Sequence, residues 1–436
     1  MTRSPSPTSP ELTPDPGSPL ERIFIAYVPG LDLRRVDGES CPHLTTLLDA
    51  HPAATFKAPA TSDCMPVLLT GTYPHQYGLW GPKLRRAVTR PTMSSKFVDA
   101  VPDIVTTTLQ CVRHVIREPV DMAGVPPRRR RRFDMCFFKH IKTRGGGDVT
   151  APINGIPSFF SVVGSSRSRF LYLPGLKGLE RHLPTLANGD HAVEMVEIHC
   201  LDQIQHWMAD REQEVRNAYR EVDDFISQLN AKCSEQDCAF IVLCDHGSEP
   251  VRGTLDVMRG IRRSGLDHHE FDFYVENTRA RFWLHTERAR ERIMGLLESL
   301  PNSQVLSWKD LGRFGINFPN TDFGEVYLYP DPGYILFPND FHHVLANRIL
   351  AMTDWQQRPR FSKPAHRSDH GYLPQAESET GFVILADERF ERVSDRVDMV
   401  DVAPSLLSLL GLDAPDTMRG QSIFRRRSDP RRVAAT

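Results

Sequence analysis

The chain reads as an α/β protein built on a mostly parallel sheet, and three observations carry that expectation. Short apolar runs, IFIAYV (23–28), CAFIVLCDHG (238–247) and GFVILAD (381–387), have the length and composition of strands buried on both faces. A stretch from about Ile204 to Leu229 places Trp207, Val215, Ala218, Tyr219, Val222 and Ile226 at helical spacing. The run at 238–247 delivers Asp245 and His246 at its C-terminal end, where open parallel sheets keep their ligands.

Length and composition set the frame. At 436 residues the chain suffices for one large α/β domain with insertions, or for two domains. With 40% hydrophobic and 25% charged residues it has the make-up of a soluble globular protein. A net charge of −2 gives the whole molecule no nucleic-acid or membrane character, and no run reaches the roughly twenty apolar residues of a membrane span. The eight cysteines (Cys41, Cys64, Cys111, Cys136, Cys200, Cys233, Cys238, Cys244) form no CxxC pair. They read as free buried thiols in a reducing, cytoplasmic setting. The first nineteen residues lack a hydrophobic segment and do not read as a secretory signal.

Taken in order, residues 1–19 are rich in Pro, Ser and Thr and form a disordered tail. The strand at 23–28 ends at Pro29-Gly30, and PHLTTLLDA (42–50) is helical. Thr61 precedes a helix that starts near residue 66. The stretch 110–150 is irregular, and its PPRRRRR (126–132) reads better as a solvated loop than as an anion site. SRFLYLPG (168–175) and MVEIHCLD (195–202) are strands. Residues 250–360 form an insertion or cap, GFVILAD returns to the sheet, and DMVDVAPSLLSLLGL (398–412) is a terminal helix. Residues 426–436 form a flexible tail, which leaves 20–425 as one catalytic unit.

The chemistry lies in recurring Asp and His. Asp202 and His206 are four apart, so a helix there turns both side chains the same way. Alone, the pair reads equally as a capping Asp with a packed His. Asp245-His246-Gly247 follows an apolar strand and points to ligands more than to a simple strand-ending turn. His370 in SDHGYLP gains weight only from this company, and Asp369 beside it reads as a ligand's partner instead of a ligand. Carboxylate and imidazole donors in this number suit two divalent cations, Zn²⁺ by the His content or Mn²⁺.

These segments together resemble the alkaline phosphatase superfamily, nearest its type I phosphodiesterase / nucleotide pyrophosphatase branch. Thr61 stands ahead of LLTG at the spacing of the family nucleophile, and TGTYPHQYGL resembles the family's TGxxPxxHGI. LDQIQH matches the DxxxH ligand pair, VLCDHG the Asp-His strand and DHGY the late His-Gly. DVAPSLLSLLGLDAPDTMRGQSI resembles the C-terminal helix and MxG segment. The resemblance implies a three-layer α/β/α sandwich with a mostly parallel central sheet and an inserted cap. It implies a phosphate-ester hydrolase acting on a small phosphate ester or nucleotide-like substrate, not on a nucleic-acid polymer or a membrane. Asp202, His206 and His370 would hold one metal. Asp245, His246 and Thr61 would hold the other, joined by a carboxylate from the first strand region. Thr61 would attack phosphorus to give a phospho-threonine that water then cleaves.

Three positions depart from that pattern. The family's Asp-Gly after the first strand is Pro29-Gly30 here, and proline cannot ligate a metal. Asp32 is the nearest acid and either replaces that ligand or caps the next turn. The Asn expected three residues after the nucleophile is Cys64. Thr61 and Met65 stand where a sulfatase needs an oxidisable Cys or Ser and an Arg, which argues against sulfatase chemistry. Two further readings stay open: a catalytically degraded relative serving as a binding scaffold, and a phosphotransferase of the same superfamily.

Overall fold

A computed structural model describes residues 19–61, 64–78, 80, 83–85, 133–135, 151–267, 269–337 and 366–427. The arginine run at 126–132 and both tails beyond Pro19 and Arg427 lie outside the described residues.

The central sheet has six strands: β1 (Ile23–Tyr27), β2 (Ala53–Lys57), β3 (Ser168–Leu173), β4 (Val193–Ile198), β5 (Ala239–Cys244) and, after the second sheet, β10 (Thr380–Ala386). Their order is β2-β10-β5-β1-β4-β3. The pairs β1–β4, β1–β5 and β3–β4 are parallel, while β10 runs antiparallel to both β5 and β2. The apolar runs are continuous because both sheet faces are covered. Ile23, Ile25, Met195, Ile241 and Leu243 pack on one side with α2 (Met65–Thr70), a short helix at Phe159–Val163 and α6 (Val402–Leu409). Phe24, Ala26, Val196, Phe240 and Val242 pack on the other with α1 (Pro42–Ala50) and α4 (Glu212–Ser234). Alternate residues of single strands thus feed opposite cores, which makes a three-layer α/β/α sandwich.

The single helix expected over 204–229 is two. Helix α3 (Cys200–Met208) ends at Ala209, and α4 begins after Arg211, whose backbone is not helical. The two segments have different tasks. Helix α3 sits over the carboxyl edge of the sheet, held where Gln205 Nε2 donates to the Gly30 carbonyl. Helix α4 lays Val215, Tyr219, Val222 and Ile226 onto the sheet face. Trp207, counted with the apolar stripe on spacing alone, is therefore 40% exposed.

Residues 271–330 form a second, antiparallel sheet, β6 (Phe271–Val275), β7 (Ala280–Leu284), β8 (Ser303–Ser307) and β9 (Val326–Pro330), in the order β6-β7-β9-β8. Helix α5 (Glu287–Glu298) buries Ala289, Ile293 and Leu297 in an apolar cluster with Phe273, Phe282 and Leu328. Another cluster, Leu306, Leu311, Ile316, Phe318, Phe323 and Tyr327, meets Ala60, Trp80 and Leu373 of the main body. Among the described residues no helix is long and apolar enough to cross a membrane.

Candidate metal centre

The carboxyl edge of β1, β4 and β5 collects most of the residues singled out in the sequence. Asp202 and His206 sit one turn apart on α3, so both side chains leave the helix on one side. Asp202 Oδ1 lies 3.3 Å from His206 Nε2 and 3.5 Å from His370 Nε2. The His206 ring is oriented by Nδ1, 2.9 Å from the Ser368 carbonyl. A carbonyl only accepts, so Nδ1 carries the proton and Nε2 is left for a ligand.

Asp245 and His246 follow β5 directly. Asp245 Oδ2 accepts from the Tyr27 hydroxyl at 2.8 Å and stands 3.4 Å from His246 Nε2. His246 Nδ1 is fixed 2.8 Å from the Gly247 carbonyl. Gly247 permits a close approach, because a Cβ there would lie 2.7 Å from Asp32 Cγ. Gly30 plays the matching part at the end of β1. Its φ is +73°, and a Cβ would press on Asp202 Cα at 3.0 Å. The Pro29-Gly30 turn thus seats α3 and its ligands.

One donor atom each from Asp202, His246 and His370 falls within 4.8 Å of the others, a group that joins His246 of the expected second site to two residues of the first. Donors around a tetrahedral ion with bonds of about 2.0–2.1 Å stand about 3.4 Å apart. The separations of 3.3, 3.5 and 3.4 Å fit that geometry. Asp245 Oδ1 is buried without a hydrogen-bond partner, as expected where a cation completes the site.

Electrostatics follow from the crowding. Burial disfavours the Asp202 carboxylate, but the imidazoles of His206, His370 and His246 pull it well below its usual value. Burial likewise opposes a charged His206, yet Asp202 beside it raises this imidazole to about 10. His246 is raised against burial, chiefly by Asp245 and Asp202. His370 is driven well down by burial and by its two imidazole neighbours. Protons occupy some of these nitrogens in the metal-free protein, and a divalent ion would displace them.

Asp32 is not part of this cluster. It caps the turn at Leu33–Arg35, accepting from Arg34 N at 3.0 Å. The Arg34 guanidinium holds it at 2.7 and 3.0 Å, and Ser248 N donates to it at 3.2 Å. Its carboxylate closes the turn and ties it to the segment after His246. Asp369 is engaged as well: Oδ2 accepts from Asn277 at 2.6 Å and lies 2.8 Å from His366 Nδ1, while Oδ1 accepts from His370 N at 3.0 Å. His206, Asp369 and His370 also bring donor atoms within 4.8 Å of one another. The protein donors on both Asp369 oxygens favour its role as the group that orients its neighbours.

Thr61 is buried at 2% exposure ahead of α2, its N–H donating to the Pro59 carbonyl at 2.5 Å. Cys64, at the start of the same helix, is also buried at 2% exposure. Two contributors escaped the sequence reading. Tyr27 looks like any strand aromatic. Glu379 is fully buried, accepts from Gly371 N at 2.9 Å and Tyr372 N at 3.1 Å, and so anchors the His370 loop. Burial raises Glu379 to about 7 against the pull of His246.

Comparison with known proteins follows the same lines. Murine ectonucleotide pyrophosphatase / phosphodiesterase 5, an inactive variant in complex with AMP, superposes with a TM-score of 0.59 at 12% identity, covering 92% of this chain and 97% of that one. The human ectonucleotide pyrophosphatase / phosphodiesterase 5 gives 0.60 at 13% identity, with 92% and 97% covered. These likenesses show a shared fold. No curated protein matches the sequence. The profile of the type I phosphodiesterase / nucleotide pyrophosphatase family matches residues 33–373, and the chain belongs to that family.

Proposed function

We propose that this chain hydrolyses phosphate esters with two divalent metal ions, Zn²⁺ or Mn²⁺, and Thr61 as nucleophile. One observation supports the reading most: Asp202 Oδ1 lies 3.3 Å from His206 Nε2 and 3.5 Å from His370 Nε2, and Asp245 Oδ2 lies 3.4 Å from His246 Nε2, each a separation that two ligands of one ion can take. Membership of the family supports the reaction class. A relative of the same fold held in complex with AMP supports a nucleotide-like phosphate ester as substrate.

The ions would lower the proton affinity of the nucleophile and stabilise charge on the phosphoryl oxygens. The chain's own residues do the rest. The Thr61 oxygen bonds to phosphorus and loses its proton to water, the ester bond opposite breaks, and the departing alcohol or nucleotide oxygen takes up a proton from water in return. Water then adds to phosphorus, the Thr61 O–P bond breaks, and the hydroxyl regains a proton. Tyr27 holds Asp245, and the Ser368 carbonyl holds His206, so neither ligand must reorganise during turnover. Transfer of the phosphoryl group to another acceptor alcohol would use the same residues.

A second reading, a degraded relative acting as a scaffold, has one specific support. Asp32 is committed to Arg34, and the first-strand position is Pro29, so the Asp245–His246 site has one carboxylate fewer than the family pattern. Its five other Asp and His donors weigh against that reading. The free cysteines Cys41, Cys64, Cys200, Cys233, Cys238 and Cys244 support a reducing, cytoplasmic location. The deciding experiment assays nitrophenyl phosphate monoester, diester and phosphonate with added Zn²⁺ or Mn²⁺, alongside elemental analysis. Turnover with bound metal supports the hydrolase. A protein that binds no metal after loading and turns over no ester favours the scaffold reading.

A further inference from the structure

The backbone just ahead of Thr61 is held from three directions. The Thr61 N–H to Pro59 carbonyl bond closes a three-residue turn centred on Ala60. This turn presents the Ala60 carbonyl to three donors: Trp80 Nε1 at 3.0 Å, Arg279 Nη1 at 3.1 Å and the Tyr329 hydroxyl at 3.2 Å. A carbonyl offers two lone pairs, so three donors saturate it. Ala60 and Tyr329 are wholly buried, and Trp80 and Arg279 each keep 1% exposure.

The donors are themselves fixed. The Arg279 guanidinium lies 4.3 Å from the Trp80 ring centroid. Its other edge is taken by Glu276, at 2.9 Å from Nε and 2.8 Å from Nη2. The remaining nitrogen is aimed at Ala60. Arg279 precedes β7 and Tyr329 lies on β9, so the second sheet supplies two of the three donors. That sheet already has the apolar cluster around Phe318, Phe323 and Leu373 to hold it to the main body. Burying a guanidinium carries a desolvation cost that apolar contacts avoid. Here the buried cation is directed at the residue preceding the candidate nucleophile.

We infer that Arg279, Trp80 and Tyr329 are positioning residues, whose grip on the Ala60 carbonyl sets the Thr61 hydroxyl for in-line attack. The inference rests on the reading of Thr61 as nucleophile. None of the three needs to touch substrate. They act by narrowing the range of places the Thr61 oxygen visits, and a displacement near 1 Å is enough to cost about 100-fold in rate. The second sheet is then part of the catalytic frame as well as a cover.

Tyr329→Phe and Trp80→Phe each delete one donor and keep an aromatic ring in place. The metal-loaded full chain, assayed on bis-nitrophenyl phosphate, should lose about tenfold in kcat for each and about 100-fold for the pair, with KM changed less than about threefold. Bound metal should stay at the wild-type level. Arg279→Lys, which keeps a donor, should retain more kcat than Arg279→Met. Trp283→Phe deletes a donor in the same sheet whose partner is the Thr321 carbonyl, and it should leave kcat unchanged. Hydrogen exchange of the peptide spanning 58–68 gives a readout independent of turnover, and should quicken in the double variant. Unchanged kcat and unchanged exchange in the double variant overturn the inference, as does an equal kcat loss in Trp283→Phe. A wild-type chain inactive on every ester overturns the hydrolase reading instead, and the exchange rates alone then decide whether the clamp exists.

Discussion

His246 and His370 lie face to face, their ring centroids 3.6 Å apart and their planes inclined by 13°. One comes from the end of a central strand and the other from the loop that Glu379 anchors. Two imidazolium ions do not stack at that distance in a buried site, and burial together with the neighbouring His246 holds His370 well below its usual value. The stack joins the end of the strand that delivers Asp245 and His246 to the loop that delivers His370.

The metal content should be two ions per chain after loading. His206→Ala and Asp202→Asn should empty the site on α3, and His246→Ala the other, each leaving close to one ion. His370→Ala should weaken both, because its ring packs on His246 while its Nε2 faces Asp202. Elemental analysis reads these directly. A full complement of metal in His206→Ala removes this residue from the ligand set.

Thr61→Ala should leave a folded protein that keeps its metal and loses turnover by on the order of 10³-fold or more. The threonine is 2% exposed, so deleting its hydroxyl and methyl leaves a small cavity that costs on the order of 1 kcal/mol, which a melting curve separates from the loss of turnover. Hydrolysis of an activated diester at the wild-type rate would show that another group attacks phosphorus.

Asp32→Asn should lower stability by about 1–3 kcal/mol, the range for an unmatched buried polar group, without changing metal content. The carboxylate satisfies Arg34 and Ser248 N, and an amide cannot match both. Chemical denaturation with parallel metal analysis separates the outcomes. Loss of an ion in this variant would restore Asp32 as the substitute for the first-strand ligand.

The metal-free protein should lose stability as pH rises from 7 toward 10. His206 is raised from its ordinary 6.5 to about 10 by Asp202. Such a group stabilises the fold fully below its unfolded pKa, and that contribution fades as pH climbs through its folded pKa. Asp202 works in the opposite sense: held low in the fold, it stabilises above the unfolded carboxylate pKa and fails as pH falls. Melting temperatures of chelator-treated protein should slope downward over the alkaline window, and His206→Gln should flatten the slope. An identical slope in both proteins would detach this effect from His206.

Much of the site was legible because its spacing is local. Asp202 and His206 share a helical face whatever surrounds them, and a strand as apolar as 239–244 must end where its first polar pair begins. The break between α3 and α4 was hidden, because the apolar periodicity continues across residues 209–211 while the tertiary tasks change. Asp32 was undecidable from its neighbours, since its partners include Ser248, brought near only by the sheet. Tyr27, Glu379 and the donors on Ala60 gain meaning through contacts between distant segments, which no local pattern encodes.

The reversed strand β10 has a consequence for the order in which the molecule can be made. It fills the slot between β2 and β5, so residues 53–57 and 239–244 have no common partner until residue 386 has been synthesised. A nascent or truncated chain that ends before Thr380 presents two open backbone edges, one of them buried on both faces in the finished protein. The late strand thus works as a keystone. It closes the sheet and delivers the Glu379 anchor of the His370 loop in the same stroke, so that completion of the fold and assembly of the last histidine coincide.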